Sequence, residues 1–120
     1  MKPLRVRSKI WLEVDGEPLL GDGRERLLGL IAELGSISAA ARAMGLSYRR
    51  AWSFVQAMEA KLEVPLLQRE KGGTGGGRSL LTPQARELLE KFRSLREGLD
   101  RDVDRKFAEI FVLAQPRQKG

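Results

Sequence analysis

The stretch 35–62, GSISAAARAMGLSYRRAWSFVQAMEAKL, decides the fold. Ser36 is placed to cap a short helix with Ile37, Ala40, Ala41 and Met44 on its buried side, and Gly45 to stop it. Ser47 is placed to cap a second helix that runs to about Leu62 and closes before Pro65, because the residue ahead of a proline is pushed out of the helical region. Two helices joined by Gly45-Leu46-Ser47, with small Ala39, Ala40 and Ala41 allowing close approach, have the form of a helix-turn-helix.

The second helix of this pair has two unlike faces when its residues are spaced at about 100°. Ala51, Val55, Met58 and Leu62 cluster on one side, flanked by Trp52 and Phe54. The other side holds Arg49, Ser53 and Gln56, with Arg50 at its edge and only Ala57 and Ala60 further along. Tyr48 lies in the first turn. Cationic and amide donors near a helix N-terminus, followed by alanines, suit close entry into a DNA major groove, where Arg reads guanine and Gln reads adenine. On an isolated helix the same residues would be an ordinary solvated face. Their position after a capped helix and a three-residue turn favours DNA. The candidate recognition residues are Ser47, Tyr48, Arg49, Arg50, Ser53 and Gln56.

Upstream, residues 22–34 form a further helix with Leu27, Leu28, Ile31 and Leu34 as its apolar face. Asp22 with Glu25 fits a capping box, and Gly35 ends the helix. Before it, residues 4–14 alternate apolar and polar with period two, the pattern of a half-buried strand. Asp15-Gly16 is a hairpin signal, since both central residues of a type I′ turn need positive φ. A return strand over 17–20 tolerates Pro18 at an edge.

Downstream, KGGTGGGRSLL (residues 71–81) comes within one residue of a phosphate-binding loop, with Arg78 where lysine should stand. Such a loop must follow a buried apolar strand and open a helix. Leu67-Gln68-Arg69-Glu70-Lys71 is too polar for that strand, and Thr82-Pro83 starts the next helix too late. The tract instead caps a hairpin between 66–70 and 78–81, a wing. Glycines there allow close approach to the sugar-phosphate chain and offer amide donors. The wing candidates are Lys71, Gly72, Gly73, Thr74, Gly75, Gly76, Gly77 and Arg78; the alternative is a merely flexible loop. Thr82, as cap, and Pro83, at the first helical position, open a long last helix. Its stripe of Leu88, Phe92, Leu95, Leu99, Val103, Phe107 and Ile110 is longer than a small winged domain can cover, which favours a homodimer.

Composition narrows the function classes. The 120 residues allow one modest core, and 42% hydrophobic content argues for a folded chain. Lys and Arg number 22 against 16 Asp and Glu, a net charge of +6 that suits a polyanionic partner. There is no cysteine and no histidine. Disulfides, Cys/His zinc sites, cysteine nucleophiles and the usual neutral-pH general base are excluded together. An enzyme is not expected, nor a cofactor or metal. No apolar run nears the roughly 20 residues that span a bilayer. Asp100, Asp102, Asp104 and Glu109 oppose a membrane-surface role for the last helix. With no signal peptide recognisable at the N-terminus, the expected location is cytoplasmic.

The runs Gly35-Ser36-Ile37-Ser38-Ala39-Ala40-Ala41 and Gly45-Leu46-Ser47-Tyr48-Arg49-Arg50-Ala51-Trp52, then the glycine-rich wing and Leu81-Thr82-Pro83, resemble the N-terminal DNA-binding domain of the ModE family. These are molybdate-responsive transcriptional regulators, related in their winged helix-turn-helix to LysR-type regulators. The resemblance covers about residues 10–95. It implies an N-terminal β element, dimerisation through the first and last helices, and DNA contacts from Ser47, Tyr48, Arg49, Arg50 and Ser53 and from the wing, Lys71 to Arg78. Full-length members also carry a C-terminal molybdate-binding region of small β-barrels. The present sequence shows no evident oxyanion pocket of that kind, so direct molybdate sensing is not expected of it, whether it is a stand-alone regulator or a fragment.

The expected fold is mainly α with small β elements: a winged helix-turn-helix with an N-terminal β-hairpin over residues 1–82, a long C-terminal dimerisation helix over 83–115, and a disordered tail over 116–120. The expected partner is double-stranded DNA, bound at a palindromic operator linked to molybdate-related genes. The alternative is a protein-interaction or architectural DNA-binding module without operator specificity.

Overall fold

The computed structural model describes residues 1–70 and 78–112. The order of elements is β1 (Leu12–Val14), β2 (Glu17–Leu20), α1 (Asp22–Leu34), α2 (Ile37–Met44), α3 (Tyr48–Leu62), β3 (Leu67–Glu70), β4 (Arg78–Leu81) and α4 (Pro83–Ile110). The expected tip of the wing, residues 71–77, and the tail over 116–120 lie outside the described residues. The chain divides into two compact units, Ile10–Lys91 and Met1–Lys9 with Phe92–Gly120. Helix α4 begins in the first and continues in the second.

The first unit is a mainly helical winged helix-turn-helix. Its core is built from Leu19 and Leu20 of β2, Leu27, Leu28 and Ile31 of α1, Ile37, Ala40 and Ala41 of α2, and Ala51, Val55 and Met58 of α3. Leu66, Leu81, Ala85 and Leu89 complete it from the wing base and α4. Small residues carry the α2–α3 crossing, and the larger side chains of α1 fill the space behind it. Leu34 was expected on the buried face of α1 but is exposed in the last turn, where the chain turns away into α2.

The helix ends follow the local chemistry. The Ser36 hydroxyl accepts from the Ala39 amide at 3.0 Å and the Ser47 hydroxyl from the Arg50 amide at 3.1 Å. Gly35 and Gly45 both sit at φ 70 in the left-handed region. Helix α3 stops at Glu63, which takes φ 58 without being glycine. The start of α1 differs from expectation. Its N-cap is Gly21, with no side-chain cap, and Asp22 is already helical. A Cβ on Gly21 would lie 3.2 Å from Cβ of Trp11, so the entry is crowded where a capping side chain would have to sit. Asp22 and Glu25 fall in the first turn, where negative charge favours the helix dipole.

The N-terminal strand is much shorter than the alternation over 4–14 predicts. Asp15 (φ 52) and Gly16 (φ 79) make the expected turn, but only Leu12–Val14 pair with Glu17–Leu20, with an irregularity at Leu12/Glu13. The alternation itself survives, since Val6, Ser8, Ile10, Leu12 and Val14 are half-buried while the odd positions between them are exposed. In the second unit the Ser8 hydroxyl donates to Asp100 Oδ1 at 3.2 Å, and Arg96 Nη2 donates to the Ser8 carbonyl at 2.9 Å. β2 is too short to pair with residues 4–10, and side chains of α4 satisfy part of their backbone instead. Period two reports which face is covered, and here a helix takes part of the covering.

Candidate nucleic-acid interface

The two legs of the wing are anchored before they reach its tip. Glu59, in the last turns of α3, accepts from the amides of Leu66 and Leu67 at 2.8 and 3.4 Å. Thr82 donates its hydroxyl to the Pro65 carbonyl at 2.8 Å and its amide to the Leu66 carbonyl at 2.9 Å, while the same hydroxyl caps α4 by accepting from Ala85 at 3.1 Å. β3 and β4 pair antiparallel in the register Leu67↔Leu81, Gln68↔Leu80, Arg69↔Ser79 and Glu70↔Arg78, so β3 starts one residue later than the sequence suggests. The Ser79 amide donates to the Gly35 carbonyl at 2.9 Å, tying β4 to the turn between α1 and α2. Wing and helix-turn-helix are thereby one structure at their bases.

Helix α3 separates its faces as the wheel predicts. Ala51, Val55 and Met58 are fully buried, whereas Tyr48, Arg49, Arg50, Ser53 and Gln56 are exposed. Leu62 is half-buried at the end of the apolar side. The exposed residues differ in what they do. The Ser53 hydroxyl donates to the Arg50 carbonyl at 2.8 Å, which leaves its oxygen as an acceptor toward solvent. Arg50 lies over the Phe54 ring at 5.7 Å, and Arg24 of α1 lies over the same ring at 5.3 Å. Arg24 also donates to the carbonyls of Pro18 and Leu19 at 3.3 and 3.1 Å. One aromatic ring thus holds two guanidinium groups at the edge of the exposed face. No hydrogen bond or ion pair engages the side chains of Arg49 and Gln56 among the described residues.

Arg78 is the described member of the wing set. Its guanidinium packs on the backbone of Gly35, where a Cβ would come within 2.7 Å of Nε and Nη2. Lys71, Gly72, Gly73, Thr74, Gly75, Gly76 and Gly77 lie outside the described residues. Sequence reasoning overlooked Arg24, Arg69 and Ser79. Arg24 meets Phe54 across 30 positions of chain, and no periodicity signals such a pair. Arg69 and Ser79 become neighbours only through the register of the wing.

The expected stripe on α4 is not uniform. Phe92 is buried, Leu88, Leu99, Val103 and Phe107 are half-buried, Leu95 is 47% exposed and Ile110 is 73% exposed. Ala85 and Leu89 take the place in the core of the first unit that the sequence alone would give to Leu88. Phe107 stacks on Phe111 with ring centroids 4.8 Å apart. No described helix is long and apolar enough to cross a membrane.

With the capped α2–α3 pair and the anchored wing in view, comparison with known proteins decides the family. The profile of the bacterial regulatory helix-turn-helix proteins of the lysR family matches residues 26–86. The chain belongs to that family. It is 42% identical over 80 residues to the molybdenum-pterin-binding protein MopB of Rhodobacter capsulatus, across 67% of this chain and 30% of MopB. It is 37% identical over 82 residues to the DNA-binding transcriptional dual regulator ModE of Escherichia coli K12, across 68% of this chain and 31% of ModE. The chain therefore spans about a third of the length of these curated relatives and corresponds to a ModE-like N-terminal domain. Among solved structures, the CbnR_DBD–DNA complex matches with TM-score 0.56 and 31% identity over 73% of this chain and 95% of that one. The lysR-type winged helix here is the DNA-binding domain of a transcriptional regulator.

Proposed function

We propose that this lysR-type domain binds a palindromic DNA operator as a homodimer, with α3 in the major groove and the wing along the phosphate backbone. The observation that carries the reading is the division of α3. One face is locked by Ala51, Val55 and Met58, and the opposite face presents Tyr48, Arg49, Ser53 and Gln56 to solvent. A rigid helix with free donors on an exposed face is what direct base readout needs. Arg49 and Gln56 supply base recognition. Arg50, held against Phe54 beside Arg24, supplies backbone attraction together with Arg78, Lys71 and the wing glycines.

The dimer is formed through α4, whose half-buried Leu99, Val103 and Phe107 and exposed Leu95 and Ile110 seek a second copy. A two-fold pair would set the recognition helices about one DNA turn apart. The names of MopB and ModE point to molybdenum-related genes as the regulated targets. The test is selection of fragmented genomic DNA by the purified protein, sequenced with and without molybdate. An enriched palindrome near such genes is expected. Binding without enrichment would replace the reading with an architectural, phosphate-dominated role, and absence of binding would replace it with a protein-interaction module.

A further inference from the structure

A polar cleft of about 300 Å³ opens between the α1–α2 turn, the start of α3 and the base of the wing. Ser36, Ser38, Tyr48, Arg69 and Ser79 line it, with the backbone of Gly35 and Ile37. Four separate elements meet there, and none of the lining residues is acidic. The first-turn amides of α2, at Ile37 and Ser38, have no acceptor within their own helix and carry its positive dipole end. Arg69 and Ser79 are directly paired across β3 and β4, so their side chains leave the hairpin on the same side.

Ser79 is the decisive residue. It is only 6% exposed and lines the cleft, its amide is spent on the Gly35 carbonyl, and its hydroxyl has no hydrogen-bond partner among the described residues. A buried hydroxyl normally finds a partner. Here the empty side is the cleft. The Arg78 guanidinium, packed on Gly35, adds a second positive charge at the rim.

We propose that this cleft is a seat for one tetrahedral oxyanion of the phosphate class, held by Arg69, the hydroxyls of Ser79, Ser38 and Tyr48, and the first amides of α2. The site deepens the DNA-binding reading and rests on it for one source of the anion, a phosphodiester of the bound duplex. The other source is free phosphate. In the DNA-bound form the seat would fix the register of α3, since one phosphate would be gripped by α2, α3 and the wing at once.

The test compares wild type with Arg69→Gln and Ser79→Ala, and with Arg101→Gln on exposed α4 as a charge control. Far-UV circular dichroism checks that each is folded. Neutral methylphosphonate linkages are walked along a duplex that the wild type binds. One linkage per half-site is expected to weaken wild-type binding about tenfold, the scale of one charged hydrogen bond. The same linkage should cost Arg69→Gln almost nothing further, and Arg69→Gln should lower the salt slope by about one. Losses that multiply at every linkage, with Arg69→Gln no different from Arg101→Gln, would overturn a phosphodiester in the seat.

A second arm titrates the DNA-free protein with inorganic phosphate against chloride of equal ionic strength. A rise in Tm that disappears in Arg69→Gln and Ser79→Ala assigns the seat to free oxyanion as well. Failure of both arms overturns the site. Should wild type bind no duplex at all, the DNA-binding reading falls on its own, and the phosphate arm alone decides the seat.

Discussion

The guanidinium of Arg78 lies on the backbone of Gly35, closing the space where a side chain on residue 35 would begin. Gly35 is also at φ 70, and its carbonyl accepts from the Ser79 amide at 2.9 Å. One residue therefore ends α1, leads into the cap of α2 and docks the wing. Gly35→Ala is expected to cost about 1–2 kcal/mol from the left-handed backbone. The Arg78 guanidinium is the far end of a flexible side chain and can move aside. Most of the loss should thus persist when Gly35→Ala is made in an Arg78→Ala background, as measured by urea denaturation. A loss that vanishes in that background would assign the cost to the Arg78 clash instead.

Arg49 and Arg50 are adjacent but should behave differently on DNA. Arg50 and Arg24 share the Phe54 ring, whereas Arg49 projects from the exposed face without such a tether. Arg49→Ala is expected to cost about 1–3 kcal/mol on the selected duplex, concentrated at one base position, and little on random DNA. Arg50→Ala should weaken both duplexes alike. Equal losses on the two duplexes for Arg49→Ala would remove it from base readout.

Thr82 joins the wing to α4 through three hydrogen bonds while only 5% exposed. Thr82→Ala removes the cap, worth about 1 kcal/mol, and leaves the Pro65 carbonyl short of its donor, about 1–3 kcal/mol more. Thr82→Ser keeps the hydroxyl and should recover most of the stability. Chemical denaturation of the three proteins checks the order.

The stripe on α4 predicts a change of assembly without loss of fold. Leu99→Glu with Val103→Glu puts two charges on positions that are half-buried in the single chain. Sedimentation velocity should show monomer where wild type shows dimer, with the helical circular dichroism retained. A dimer that survives both changes would move the interface elsewhere.

On the exposed surface of α4, Lys91 Nζ sits 2.8 Å from Glu87 Oε2, one helical turn away. The hydrogen bond, then the charge of Lys91, lowers the Glu87 pKa, and the same pair raises that of Lys91. The Glu87 contribution is present above the unfolded carboxylate pKa and lost as pH falls through the lowered folded value. The Lys91 contribution is present below the unfolded amine pKa and lost as pH rises through the raised one. Both groups are solvent-exposed, and such pairs contribute little. Glu87→Gln should therefore leave Tm nearly unchanged at neutral pH, and the small difference from wild type should close in acid.

What the sequence by itself determined is what depends on near neighbours in the chain. The serines at 36 and 47 cap their helices, the glycines at 35 and 45 end theirs, and Thr82-Pro83 opens α4, because each acts within one helical turn. The division of α3 into a buried and an exposed face was equally legible, since a regular helix converts spacing into direction. Only the tertiary structure decided what covers a face and what meets across it. The alternation over 4–14 was real, but residues 4–10 did not become strand, because β2 was too short to pair with them and α4 supplied Arg96 and Asp100. Arg24 against Phe54, Arg78 on Gly35, and Arg69 beside Ser79 in the cleft are long-range encounters. They follow from packing and strand register, which spread over the whole unit rather than residing in any short run of residues.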